Sequence, residues 1–227
     1  MVDLKLVEPK DFWYVVGLIV TDGNLSKDGR HIDITSKEIS HLEKVANALF
    51  FKNPIASKYS GRNREKTYFR LQFSDAKLYR YLQNIGITPR KSLTLRDIKI
   101  NERYFRDFLR GVIDGDGSIC VWKHRTNGHQ QWSLRIVSAA PIFSKWIKEE
   151  IETHYKVRGR LHVRAHDEKR NNLHIIKFGK LAAKVILSDI YYKGALFLDS
   201  KHKRHLECLQ DESKMIKYGE VLRARVS

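Results

Sequence analysis

No apolar run in this 227-residue chain approaches the length of a membrane span, so a soluble protein is expected. The amino terminus, MVDLKLVEPKD, lacks the basic-then-apolar order of a secretory signal. An intracellular protein is therefore expected, with cytoplasm, nucleoid and organelle not told apart. Cysteine is scarce. Cys120 and Cys208 stand alone, neither with a partner at CxxC spacing, which excludes a cysteine zinc site and favours two free thiols over a disulfide. No histidines fall at i, i+4 on a predicted helix, so zinc is not expected from them either. Acid is also in short supply: 26 Asp and Glu face 43 Lys and Arg, a net charge of +17. Such an excess repels itself in a compact fold, and a polyanion, nucleic acid foremost, is the natural partner. The basic residues run through GRNREK, TPRKS, KVRGRLHVR and SKHKRH, which favours an extended binding face over a tail.

What is present is a globular composition, 42% apolar, and an internal repeat. FWYVVGLIVTDG (12–23) aligns with RDFLRGVIDGDG (106–117), pairing Gly17 with Gly111, Asp22 with Asp116 and Gly23 with Gly117. After each copy come two strand-like pieces, a helix, a second hairpin, a helix and a basic turn. Each half thus reads α-β-β-α-β-β-α. This predicts an α+β fold of two pseudo-symmetric αββαββα repeats, each with a four-stranded antiparallel sheet. The halves divide at residues 1–97 and 98–227. The strands alternate: Phe69, Leu71 and Phe73 against Tyr68, Arg70 and Gln72; Leu161, Val163 and Ala165 against Arg160, His162 and Arg164. One face is expected buried, the other wet and basic.

The segments before Asp22 and Asp116 are apolar nearly all round, as in helices buried on most sides. Gly17 and Thr21, and likewise Gly111 and Gly115, make small stripes that let two helices approach closely. Asp22 and Asp116 then end their helices, each before a glycine suited to a C-terminal cap. Carboxylates there oppose the helix dipole and, brought together at one interface, repel each other unless a cation intervenes. Few-ligand carboxylate sites suit Mg2+ with substrate phosphate oxygens, which suggests a metal-dependent phosphodiesterase with one acid from each half. Asp114 aligns with Val20 and reads as a solvated or capping residue. A calcium loop is excluded, because a strand, Ile119–Val121, follows where that loop needs more acids.

Val15–Gly23 (VVGLIVTDG) and Leu109–Gly117 (LRGVIDGDG) resemble the two signature helices of LAGLIDADG homing endonucleases in their single-chain form. The resemblance covers roughly residues 9–210. It implies two sheets forming a DNA-binding saddle, with the two signature helices packed between the halves. It also implies a sequence-specific double-strand DNA endonuclease that is Mg2+-dependent and leaves short 3′ overhangs, Ca2+ binding without supporting cleavage. Asp22 and Asp116 would be metal ligands and catalytic. Lys91 and Lys201 would act near the scissile phosphates, Lys203 being a rival to Lys201. Ser36 and Ser138 fall where the family shapes a water pocket. Val20 departs from the motif at a position that is not a metal ligand.

For the double-stranded DNA partner, Arg30, Arg70, Arg135, Arg160 and Arg164 are the favoured base readers. Arg62, Arg64 and Lys66 suit phosphates. Lys58, Tyr68, Gln72, His124, Arg125, His129, His162 and Lys177 complete the expected face. Trp122 and Trp132 suit either DNA contact or a cross-strand pair. The tail after Cys208 is expected to pack as a helix or to fray. The halves differ in hairpin length, so an asymmetric target and a monomer are expected. The competing reading is a non-cutting binder on the same scaffold, an intron-RNA maturase or a repressor-like module. An intein is not expected, since the repeats fill the chain.

Overall fold

The computed structural model describes residues 6–60, 63–125, 128–165 and 171–211, with side chains at 59–67 left out. The first half runs α1 (Pro9–Thr21), β1 (Gly23–Leu25), β2 (His31–Ser36), α2 (Ile39–Ala48), β3 (Ile55–Ser60), β4 (Asn63–Ser74), α3 (Ala76–Asn84) and α4 (Lys91–Thr94). After a 3-10 turn at Glu102–Tyr104 the second half repeats the order. It runs α5 (Phe105–Asp116), β5 (Gly117–Lys123), β6 (Gln130–Ser138), α6 (Pro141–Tyr155), β7 (Gly159–Arg164), β8 (Leu173–Gly179), α7 (Lys180–Ile190) and α8 (Asp199–Gln210). The two sheets share one topology, β1-β2-β4-β3 and β5-β6-β8-β7, all antiparallel. Their registers correspond: Gly23 pairs with Ile34 as Gly117 pairs with Ile136. Among the described residues no helix is long and apolar enough to cross a membrane.

Local chemistry explains most boundaries. Pro9 and Pro141 open α1 and α6 at positions where a missing N–H costs nothing. Asp75 caps α3, its carboxylate accepting from Lys77 N and Leu78 N at 2.9 Å. The period-2 pattern holds where helices cover a sheet: Leu71, Phe73, Leu134, Ile136, Ile176 and Phe178 are buried. It fails along β7, an edge strand, where Val163 and, just past its end, Ala165 are exposed and only Leu161 packs on the core.

α1 and α5 pack backbone on backbone between the halves. A Cβ at Gly17 would lie 2.2 Å from Phe108 O, and one at Gly111 would lie 2.1 Å from Tyr14 O. Only glycine fits at either place. Gly117 caps α5 as expected, whereas the cap of α1 is Asp22 itself, and neither Gly23 nor Gly117 is left-handed. Gly117 is extended (φ −78°, ψ 162°), and each is glycine because a Cβ would meet the preceding helix turn, 2.5 Å from Ile19 Cα or Ile113 O. The second basic turn is also a helix, α8, and residues of the tail from 212 onward lie outside the described residues. α5 is less apolar than expected, and three of its polar residues, Asp107, Arg110 and Asp114, are buried. Arg110 is fully buried, bonding Asp107 at 2.9 Å, Ile190 O at 2.9 Å and Leu196 O at 2.7 Å. A buried cation needs such partners.

Candidate functional site

Asp22 caps the C-terminal end of α1, and Asp116 is the last residue of α5. The close helix pair brings these ends together. The Asp22 carboxylate passes 3.3 Å from where a Cβ on Gly115 would stand. Two pockets open there, each built from both halves. One, of about 330 Å³, joins Asp22, Thr35, Ser36, Lys37, Glu38 and Tyr68 to Asp114, Ser200 and Lys201. The other, of about 260 Å³, joins Asp116, Val137, Ser138, Phe143 and Leu173 to Thr21, Lys91 and Ser92. Each acid therefore shares a pocket with the opposite half's lysine.

Burial raises the Asp22 carboxyl above its ordinary value, opposed by Lys201, Lys91 and Lys37. Burial, then the Asp22 charge, pushes Asp116 up to about 6, opposed by Lys91 and Lys201. Both side chains still reach solvent, which tempers the effect of burial. The Asp22 charge adds to burial in raising Asp116, and a cation between the two carboxylates would relieve that repulsion. The donor set fits a hard divalent ion: two carboxylates, open to water and to a phosphate oxygen. Among the described residues no three His, Cys, Asp or Glu side chains gather into a closed metal cage.

The two lysines are held differently. Lys201 donates to Ile113 O at 2.9 Å, Asp114 O at 3.2 Å and Gly117 O at 2.5 Å, so all three ammonium hydrogens are engaged at the carbonyl end of α5. Among the described residues Lys91 donates to Gly23 O alone, the equivalent carbonyl in the first half. Arg90, in the left-handed region (φ 58°, ψ 30°), turns the chain into α4 just before it. Burial lowers both lysines, while nearby acids raise them, Asp116 first at Lys91 and Asp114 first at Lys201. Lys203 is exposed and outside the pocket lining. Ser36 and Ser138 do lie in the pockets, but their hydroxyls accept from Glu38 N and Ala140 N at 3.1 Å, bracing the starts of α2 and α6.

Asp114 is a correction. It is neither solvated nor a cap: it is 2% exposed and accepts from Tyr14 OH at 2.7 Å, Tyr191 OH at 2.5 Å and Leu198 N at 2.8 Å. Burial pushes its carboxyl up to about 6, opposed by the bonds from Tyr191, Tyr14 and Leu198 N and by Lys201. Tyr14 OH also meets His41 Nε2 at 2.6 Å, and Lys44 pairs with Asp199 at 2.6 Å. This network ties α1 and α2 of the first half to α5, α7 and α8 of the second, and it seats the helix that carries Lys201. Lys37 and Glu38 of the Asp22 pocket were not expected from the sequence; the only signal is that SKE at 36–38 stands where the other half has SAA.

The outer sheet faces carry Lys58, Tyr68, Arg70 and Gln72 in the first half and Arg135, Lys177, Arg160, His162 and Arg164 in the second, as the alternation predicts. Arg30 sits at the β1–β2 turn, 4.0 Å from Asp28. His124 and Arg125 sit at the β5–β6 tip, with His124 N bonded to His129 O. These three are at the ends of hairpins and outside the strand rows. Arg62 and the side chains of Arg64 and Lys66 lie outside the described residues. The tryptophans do not pair. Trp132 is core, donating to Asp211 at 2.7 Å, whereas Trp122 is 39% exposed on the outer face, with Lys177 Nζ 5.1 Å from its ring centre. Successive registry, Val121 to Trp132 and Trp122 to Gln131, puts them on opposite faces.

No protein-family model and no curated protein matches the sequence. Solved structures do match in fold. I-DmoI in complex with DNA and Ca superposes with a TM-score of 0.57 at 19% identity, over 86% of this chain and 97% of that one. The LAGLIDADG homing endonuclease I-GzeII in complex with its DNA target gives 0.56 at 11% identity, over 96% of both chains. Full-length DUF199/WhiA from Thermatoga maritima gives 0.54 at 14% identity over 96% of this chain, which spans 66% of that one. The architecture is the two-repeat LAGLIDADG fold.

Proposed function

We propose that the chain is a sequence-specific DNA endonuclease that cuts both strands of a long, asymmetric duplex and leaves short 3′ overhangs. It would act as a monomer whose halves are residues 1–97 and 98–227. The observation that carries this reading is the pair of composite pockets, each holding one half's acid and the other half's lysine and lined by sheet residues such as Thr35, Tyr68 and Val137. The similarity in fold to I-DmoI in complex with DNA and Ca, and to I-GzeII in complex with its DNA target, supports DNA as the partner and a divalent ion at the site.

Asp22 and Asp116 would hold Mg2+, Ca2+ binding without cleavage. When bound, the ion supplies charge neutralisation at the scissile phosphate and an acidified water. Lys91, with two ammonium hydrogens uncommitted, would stabilise charge on the phosphate in the Asp116 pocket. Lys201, fully engaged, would hold the end of α5 and so the place of Asp116. Tyr68, Arg70 and Lys58 of one half, and Arg135, Lys177, Arg160 and Arg164 of the other, would face the duplex.

The test is cleavage of a randomised duplex library with Mg2+, with Ca2+, and by Asp22→Asn. One cut sequence with Mg2+, lost in Asp22→Asn while binding persists, supports the endonuclease and gives its target. Tight binding with no cutting in any divalent ion overturns it and leaves a non-cutting binder, intron RNA being the next ligand to try.

A further inference from the structure

Across the second sheet the register sets Arg135 opposite Lys177, and Lys177 opposite Arg160. Like charges directly cross-strand destabilise a sheet. No ion pair joins any of the three to a carboxylate among the described residues. Arg135 Nε is buried without a hydrogen-bond partner, a donor left waiting for an acceptor. Lys177 is steadied from the side by the Trp122 ring.

The matching row of the first half carries no such cluster. Because Gly23–Ile34 corresponds to Gly117–Ile136, the matching row is Asn24–Asp33–Gln72, with Asn24 Nδ2 donating to Asp33 Oδ2 at 3.2 Å. An acid stands where Arg135 stands. One row nearer the pockets the contrast reverses: Thr35–Arg70–Ala56 matches Val137–Ile175–His162. Thr35 and Val137 line the two pockets, which fixes the direction. The cations of the second half thus sit one row, about 7 Å, farther from the catalytic end than Arg70.

We propose that Arg135, Lys177 and Arg160 form a clamp for DNA backbone phosphates, with no counterpart in the matching row of the first half, which makes the second half the anchor of the protein on duplex. The inference rests on the DNA-binding part of the function above and does not depend on cleavage. The first half, with Asp33 in the matching row, repels phosphate there and holds DNA by its inner row.

The test is anisotropy of a labelled random-sequence duplex titrated at several KCl concentrations. Each phosphate contact contributes about 0.9 to the slope of log affinity against log salt. The triple variant Arg135→Gln, Lys177→Gln, Arg160→Gln is expected to lower the slope by about 2 to 3. Gln72→Lys, which places a cation in the matching row of the first half, should raise it by about 1. Lys145→Gln, on the exposed side of α6, should leave it unchanged. Thermal melting checks that each variant is folded. A wild-type protein that does not bind duplex overturns both this inference and the function it rests on. Steep binding by the wild type with an unchanged slope in the folded triple variant overturns the clamp alone. So does a loss in Lys145→Gln of about a third of the triple variant's, which would mean that only total charge counts.

Discussion

Lys91 and Lys201 take equivalent places, yet one ammonium is committed to a single carbonyl and the other to three. Replacing Lys201 with Met strands carbonyls at the end of α5 and should lower stability by about 1–3 kcal/mol. Lys91→Met strands one and should chiefly slow chemistry, by about 10²-fold, on the strand served by the Asp116 pocket. Strand-labelled cleavage beside thermal melts separates the two; equal melting losses, or equal slowing of both strands by Lys91→Met, would sink the distinction. Asp116 adds a pH dependence. With its carboxyl near 6 in the absence of metal, protons compete with Mg2+ as the pH falls through that value. Cleavage at limiting Mg2+ should decline below about pH 6, and the midpoint should move to lower pH as Mg2+ is raised. A midpoint indifferent to Mg2+ would contradict this assignment. Little of this was legible in sequence beyond residue identity. The repeat alignment marks Asp22 and Asp116, and the family resemblance adds Lys91 and Lys201, but the alignment makes Asp114 look dispensable, because its partner is Val20. Only the fold reveals that Tyr14, a hundred residues away, and Tyr191 need that carboxylate as their acceptor.

Elements were easier to read than side-chain roles. The period-2 alternation of 68–73 and the apolar, glycine-bearing stretches before Asp22 and Asp116 placed strands and helices because burial enforces those periods. The alternation misled at Val163, since an edge strand is only partly covered, and the polar run DSKHKRH gave no apolar stripe from which to read α8. The stripe of small residues read correctly as a close helix pair, and its strictness is testable. Gly17→Ala puts a methyl 2.2 Å from Phe108 O, where backbone must move. We expect a loss of about 1–3 kcal/mol or more from overpacking, with cleavage of both strands falling together because both pockets span this contact. A melting temperature within a degree or so of wild type would show that the helices separate at no cost.

At the scale of the whole molecule, two halves of the same topology carry different side chains in matching cross-strand rows. The repeat and the excess of positive charge are plain in the sequence; the difference between rows is not, because only register assigns rows. Fold symmetry and functional asymmetry are therefore compatible: the scaffold fixes where rows lie, and the side chains on them are free to differ. The backbone contact between Gly17 and Gly111 has a metrological consequence. Side chains are compressible spacers that evolution can lengthen or shorten, whereas two touching main chains leave nothing to adjust. The separation of the two carboxylate-bearing helix ends works as a calliper set by covalent geometry. For the cleavage proposed here, substitutions across the sheets can change which duplex is held, while the stagger between the two cuts stays the same.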